Sequence, residues 1–585
     1  MRNKRTAVHE PALYDPYQGL YTRHELEKVR TFMKEELARS LVHYRKKVNP
    51  RPHFISYLFR NYRTEKIAGR LGGVTDHSAA SQNTTYCDVR VGSPRFDNVI
   101  NGGLEDNSDR DESVEYIVMP AEIERDSFRF SLWKLTDAKY REAAEQFYER
   151  KSKQLHYVDN NRGIPSRFHR KPVKHWKYTE LPEIDHDYWK FRIRQAGELL
   201  KKYTSIKNSR FEFSCHHRQT VLVNSEGSEI LQQQCIFVLS GSLWLLNKKG
   251  EGIAQEIHFT EGSLGDLPGE KDFLRIIQQK IDTLLALEKA VRLDSYSGPV
   301  LMSPVPAGLF FHEVVGHRLE GSRLLSPDEG STFRSLKDKQ IAPEYIDIID
   351  DPTLEDFGNR SMIGHFLYDD EGSPAERAVL VEKGKLKQFL TTSSPVPGQR
   401  TTNGHARAQK YERPISRMGN LLVVNRAPAD AKTMRQLFIE EIKRQKKPYG
   451  IWVKDTLGGE TGTSSYDFQA FKGEILDAVR VFPDGREEPI RGVDFVGTPL
   501  SSLDSVVCMG DDPTLDNSYC GAESGVVPVS TVSPSMLMRN LELQGQDRER
   551  YTQYIVPLPY EGGSTKRAPA RGEKKTPCRR NGLGR

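Results

Sequence analysis

Seven consecutive residues, Phe311-His312-Glu313-Val314-Val315-Gly316-His317, hold two imidazoles and a carboxylate. Those are the parts of a hydrolytic metal site. Neutral histidines ligate zinc, and a neighbouring glutamate takes a proton from water that the metal has acidified. The spacing departs from the common HExxH pattern. There the histidines stand at i and i+4, about 40° apart around an α-helix of 3.6 residues per turn. Here they stand at i and i+5, about 140° apart on the same arithmetic. A regular α-helix would not aim both at one ion. The geometry requires local widening, such as a π-bulge with i→i+5 bonding, or an end to the helix. Gly316 eases either distortion. The flanks suit a short buried helix: Pro306 fits a first turn, Leu309, Phe310, Val314 and Val315 are apolar, and Gly321 can close it. Taken alone, the pattern competes with two structural histidines on a core helix.

A catalytic metal site needs a third protein ligand, with water in the fourth position. The candidates are distant in sequence. Cys520 sits in Leu515-Asp516-Asn517-Ser518-Tyr519-Cys520-Gly521, which reads as turn-like, ahead of an apolar strand at Val526 to Val532. Cys508 follows Ser505-Val506-Val507 and reads as a strand residue. Cys215-His216-His217 reads as structural, because neighbouring side chains of a strand point to opposite faces. Nothing local recommends His365 or His405. On chemistry Cys520 is preferred over Cys508.

The elements that must position these groups follow from periodicity. Thr22 and Glu25 form a capping box, and Leu26, Val29, Met33, Leu37 and Leu41 recur at helical spacing, so a helix is expected to Lys47. Further helices are expected over Asp137 to Lys153, Asp187 to Tyr203 and Phe273 to Val291. Phe54 to Phe59, the alternation at Cys87, Val89 and Val91, and a meander through Phe211 to Val223 and Ile236 to Leu245 read as strands. The basic, Pro-containing stretch 160–179 reads as a loop or linker. From Tyr296 short β-like runs alternate with turns, interrupted by one helix, Asp430 to Lys447. Helices and strands come in runs, which argues an α+β fold. The expected organisation is a flexible N-terminus (1–20), a helix/strand domain (21–292), a β-rich domain with a short distorted helix (293–560) and a basic disordered tail (561–585).

Composition narrows the partners. Of 585 residues, 37% are hydrophobic and 28% charged, so the chain can bury cores. No run of eighteen apolar residues offers a membrane span. The N-terminus starts basic but no apolar run follows, so a cytoplasmic location is expected. Net charge is +6, yet residues 565–585 hold eight bases and one acid. The rest is therefore near −1, and no specific nucleic-acid role is expected of the folded part. Six cysteines, at 87, 215, 235, 508, 520 and 578, make no disulfide framework.

Several ordered blocks carry a resemblance. Gly298-Pro299-Val300-Leu301 leads into His312-Glu313-Val314-Val315-Gly316-His317-Arg318-Leu319-Glu320-Gly321. Asp369-Asp370-Glu371-Gly372-Ser373-Pro374, Asn403-Gly404-His405-Ala406-Arg407, Arg413-Pro414 and Arg417-Met418-Gly419-Asn420 follow. Gly473-Glu474-Ile475, Asp516-Asn517 to Cys520-Gly521 and Val527-Pro528-Val529 complete the series. In these blocks the chain resembles the TldD/PmbA family of metallopeptidases, and its longer TldD-related members in particular. The resemblance covers roughly residues 210–545 well and the N-terminal part loosely; the tail has no counterpart. It implies that His312, His317 and Cys520 bind a divalent metal, zinc before others, and that Glu313 is the catalytic base. It also implies pairing as a homodimer or with a TldD/PmbA-type paralogue, and short or unfolded peptides as substrates. The competing reading is a non-catalytic subunit that binds a peptide or partner. The Gly458-Gly459-Glu460-Thr461-Gly462-Thr463-Ser464-Ser465 stretch reads as a flexible loop, with a substrate path as the alternative.

Overall fold

The computed structural model describes residues 19–104, 119–156, 163–330, 332–399, 401–466, 468–546 and 550–556. The tail 561–585, residues 1–18 and residues 160–162 of the basic stretch lie outside the described residues.

A twisted antiparallel sheet forms the N-terminal half. Two long hairpins, Pro52–Arg70 with Gly73–Val91 and Ile206–Asn224 with Glu229–Leu246, meet side by side through Pro52–Arg70 and Ile206–Asn224. Gly252–Glu261 adds to Glu229–Leu246 on its outer side. The strand period of two then sorts the side chains. On one face Tyr57, Phe59, Val221, Val223 and Leu231 pack under helices Arg23–Lys47 and Arg125–His156. Further along that face, Phe211, Phe213, Phe237 and Leu239 pack under His186–Leu199 and Glu270–Lys289. The opposite face, with Leu58, Arg60, Gln232 and Gln234, meets the C-terminal half.

Several elements run longer than the periodicity predicts. The strand expected at Phe54 to Phe59 spans Pro52–Arg70, because polar Asn61, Arg63 and Glu65 keep their ladder partners on both sides. The helix expected from Asp137 begins at Arg125. The described part of 160–179 is not wholly loop: Lys174–Trp176 pairs in parallel with Glu229–Leu231, a ladder too short to show alternation. The capping box at Thr22 and Glu25 forms on both sides.

Two mixed sheets build the C-terminal half. Val291–Arg292 already pairs with Glu487–Arg491, so these sheets begin two residues before the expected boundary at 293. The larger sheet contains Ser295–Met302, Gly450–Thr461, Phe471–Val481 and Met536–Gly545; the other contains Asn420–Asn425, Thr514–Ala522 and Gly525–Ser533. Helix Pro304–Phe311 lies between them, touching Gly450–Thr461 and Phe471–Val481 from one sheet and Thr514–Ala522 and Gly525–Ser533 from the other. One apolar core joins Phe310, Phe311, Val314 and Val315 to both sheets. The Gly458-Gly459 stretch is not a free loop. It belongs to strand Gly450–Thr461 and pairs with Gly473 and Glu474, since two glycines allow the chain to lie close against its neighbours.

Candidate metal centre

The chain enters the site from strand Ser295–Met302, turns at Ser303 and starts a helix with Pro304 in its first turn, where a missing N–H costs nothing. The α-helix covers Pro304–Phe311. The backbone then widens to a π-turn over His312–Gly316 and tightens to a 3-10 turn over His317–Leu319. The turn ends where Glu320 becomes extended, ahead of Gly321. Gly316 has ordinary helical angles, so conformational freedom is not its use. A Cβ there would stand 2.1 Å from the Met418 sulfur, so its use is room. Gly321 serves in the same way, against the Leu390 carbonyl.

The widened turn brings the two imidazoles together. Their rings are 5.0 Å apart and nearly perpendicular. Cys520 joins them from strand Thr514–Ala522, and one ligand atom from each of His312, His317 and Cys520 lies within 4.8 Å of the others. Cys520 is therefore a strand residue, not a turn residue: Asp516, Asn517 and Gly521, which read as turn formers, pair against the valine-rich strand Gly525–Ser533. The Cys520 Sγ is 3.3 Å from His317 Nε2. All three residues are buried. Glu313, also buried, stands beside the trio, and its side chain lies against the backbone of Gly459.

A ring of charge surrounds these groups. Glu320 reaches back to His317 Nδ1 at 3.4 Å. Arg323 Nη2 donates to Glu320 at 2.9 Å, and Arg417 Nε stands 3.3 Å from the other oxygen. Arg417 also donates through Nη2 to the Cys520 sulfur at 3.2 Å and to its carbonyl at 2.7 Å. Arg318 donates to the Glu313 carbonyl at 2.6 Å and to the Gly462 and Gln469 carbonyls, tying the π-turn to the segment after Gly459.

Electrostatics follow from this ring. Burial would raise the Cys520 thiol, but His317, Arg417 and His312 outweigh it and hold the thiol well below its usual range. Burial would lower His317, but Cys520 and Glu320 outweigh it and carry the imidazole up to about 10. Burial raises the Glu313 carboxyl, against the opposing pull of His312 and His317. Glu320 is held at about 2 despite burial, by His317 and Arg323. Two imidazoles and a thiolate are a donor set that suits zinc, and a carboxylate on the second nitrogen of a histidine is the usual partner of such a ligand. The residues present thus fit a divalent metal.

The other candidates lie elsewhere. Cys508 contacts the Met434 sulfur in a separate apolar cluster. His365 bonds the Pro352 carbonyl. His405 is fully buried between Asn403 and Asp350, as a satisfied core histidine. Sequence reasoning gave no role to Glu320, Arg323, Arg417 or Arg318. A signal was present for one of them, since Glu320 stands three residues after His317, one turn on.

Residues 295–545 match the family model described as the PmbA/TldA metallopeptidase C-terminal domain. A protein of Archaeoglobus fulgidus named "Metalloprotease" is 32% identical over 262 residues, 44% of this chain and 56% of its own. A "Zinc metalloprotease TldD homolog" of Saccharolobus solfataricus is 31% identical over 250 residues, 42% of this chain and 51% of its own. The chain spans about half the length of these curated relatives. The crystal structure of TldE from Thermococcus kodakarensis shares the fold with a TM-score of 0.53 at 15% identity, over 89% of this chain and 100% of that one. A putative modulator of a DNA gyrase from Thermotoga maritima gives 0.57 at 13%, over 88% and 99%.

The fold is that of a two-part helix-and-sheet protein of the TldE type, with the matched domain holding the His–His–Cys trio. The likeness to the PmbA/TldA family model lies in that domain, residues 295–545. Among the described residues no helix is long and apolar enough to cross a membrane.

Proposed function

We propose that the protein is a zinc-dependent peptidase acting on short or unfolded peptides. His312, His317 and Cys520 hold the metal, and Glu313 is the general acid–base. The observation that carries this reading is the convergence of two imidazoles and a buried carboxyl from one widened helical turn with a cysteine from strand Thr514–Ala522. A divalent metal in this position would supply water activation and polarisation of the scissile carbonyl.

The chain's own residues supply the rest. Glu313 takes the water proton and delivers it to the leaving amine. Burial raises its pKa, which brings it closer to a value suited to both halves of that transfer. Glu320 and Arg417 position His317 and Cys520. Arg318 fixes the π-turn against the Gly459 strand, which forms one wall beside Glu313. A homodimer, or a pair with a TldD/PmbA-type paralogue, is the proposed assembly.

Glu313→Gln tests the reading. The variant is expected to keep its zinc and to lose peptide fragmentation by about 100-fold or more, followed by mass spectrometry of a mixed unstructured-peptide pool. Fragments at the wild-type rate would remove Glu313 from the chemistry. His312→Ala or Cys520→Ala is expected to lower bound zinc, and an unchanged content would remove that residue from the ligand set.

A further inference from the structure

A second set of metal-ligating side chains lies in the N-terminal sheet. Cys215 and His217 are two residues apart on strand Ile206–Asn224, so they project from one face. Cys235 is on the neighbouring strand, directly opposite His217 in the ladder. The three come together on the helix-covered face, between Phe213 and Phe237 on one side and Gln219 and Val221 on the other. Cys215 Sγ is 3.0 Å from His217 Nε2 and 3.4 Å from Cys235 Sγ. One ligand atom from each lies within 4.8 Å of the others. Cys215 and His217 are buried, and Cys235 is partly exposed.

Packing does not account for this arrangement. The trio stands where the apolar patch of Phe213 and Phe237 gives way to Arg63, Glu65 and Gln219, and among the described residues none of these is a hydrogen-bond partner of the two cysteines or of His217. The second nitrogen of His217, Nδ1, is buried and has no hydrogen-bond partner among the described residues. The nitrogen that faces the Cys215 sulfur is the other one, Nε2, and it is this close approach of an imidazole and two sulfurs that needs a reason.

A disulfide is the less suitable reason. Cys215 faces Phe237 and Cys235 faces His217, so the two cysteines are diagonal partners. Diagonal positions are about 7–8 Å apart at Cα, beyond the usual 4.4–6.8 Å of a disulfide. Nor would a disulfide employ the imidazole. A tetrahedral zinc ion does employ it. With Zn–S of about 2.3 Å and Zn–N of about 2.0 Å, the ligand atoms stand about 3.5–3.8 Å apart, close to the spacing already present. Two sulfurs and an imidazole are soft ligands, which favour zinc over magnesium or calcium. Glu65, opposite Cys215 on the next strand, is already bonded to Arg63 and His186, which leaves the fourth place to water.

We infer that Cys215, His217 and Cys235 form a second zinc site, separate from the His312 centre, which cross-links the two central strands of the N-terminal sheet. The inference is independent of the peptidase reading, because none of its residues belongs to that centre.

The test is zinc content, by inductively coupled plasma mass spectrometry, of the full chain saturated with Zn²⁺ and freed of excess. The wild type is expected to hold roughly two ions, and both Cys235→Ser and the double variant His312→Ala/Cys520→Ala roughly one. A Cys235→Ser protein with wild-type content overturns the site, as does a His312→Ala/Cys520→Ala protein with none. A second measurement uses the wild type alone and so does not depend on any variant folding. Cys235 is partly exposed, so N-ethylmaleimide followed by peptide mapping is expected to label it at least tenfold faster after chelation. Equal labelling with and without chelator overturns the site. So does a Cys215–Cys235 disulfide in the unreduced map.

Discussion

At the scale of single residues, Glu320 shows how His317, a proposed ligand, is held from behind. It reaches the far nitrogen of His317 and is itself held by Arg323 and Arg417. Glu320→Gln keeps an acceptor but removes the charge. The proposed site is then expected to bind zinc about 10–100-fold more weakly in a chelator competition. Glu329→Gln is the control, because Glu329 meets Arg323 at 3.0 Å, whereas the carboxylate paired with His317 is that of Glu320. Equal weakening in both variants would assign the effect to charge at large. Gly316 gives a second case. The sequence suggests backbone freedom, whereas the structure shows helical angles and a crowded Met418 sulfur. On propensity alone Gly316→Ala should stabilise the turn. Overpacking predicts the reverse, a loss of about 1–3 kcal/mol in urea unfolding, partly recovered by Met418→Ala. The histidine spacing made a distorted helix legible, since i,i+5 cannot share an ion on a regular one. Arg417 was not legible as a neighbour of Cys520, because 103 residues separate them and only the fold brings them together.

At the scale of elements, the strongly periodic helices were legible and the long strands were not. Phe54 to Phe59 announces a strand because it is apolar. The continuation to Arg70 is polar and belongs to the sheet only because it is flanked on both sides. Cys215-His216-His217 illustrates the same limit. Alternation separates His216 from His217, as strand geometry requires, but it also unites Cys215 with His217, and the cross-strand Cys235 is invisible in one dimension. After strand Gly73–Val91, Asp97 anchors the chain. It is fully buried, accepts from Val99 N, and meets Arg90 at 3.3 Å and Arg150 at 3.4 Å. Burial would raise its carboxyl, but His53, Arg90 and the Val99 amide hold it at about 2. The folded state therefore binds fewer protons than the unfolded state between about pH 4 and pH 2. Stability from this group is full above the unfolded pKa and disappears as pH falls through about 2, to a total of about 2 kcal/mol. Urea midpoints of the wild type are expected to fall across that window more steeply than those of Asp97→Asn. Parallel profiles would show that Asp97 does not titrate as described.

At the scale of the whole molecule, the two halves share charges that neither can leave bare. Arg60, on the sheet face away from the helices, is completely buried and pairs with Asp370 of the C-terminal half at 2.8 Å. Arg413 reaches back to Asp88 at 3.5 Å, and Gln232 and Gln234 donate to the Tyr368 and Ile363 carbonyls. Asn517, three residues before Cys520, donates to Glu261 of the N-terminal sheet at 3.3 Å. The strand that carries Cys520 is thus braced from both halves. Removing one partner of a buried pair leaves an uncompensated charge, which costs about 3–5 kcal/mol. Asp370→Ala is therefore expected to lower the thermal midpoint of the whole molecule as one transition. The check is differential scanning calorimetry alongside circular dichroism, with zinc content measured on the folded variant. A melt in two steps, of which only the C-terminal one moves, would show that the halves are stable independently. In that case the face carrying Arg60 is a docking surface and not a shared core. A single step displaced in both probes would mean that the N-terminal sheet contributes directly to holding Cys520 near His312 and His317, although no residue of that sheet belongs to the trio.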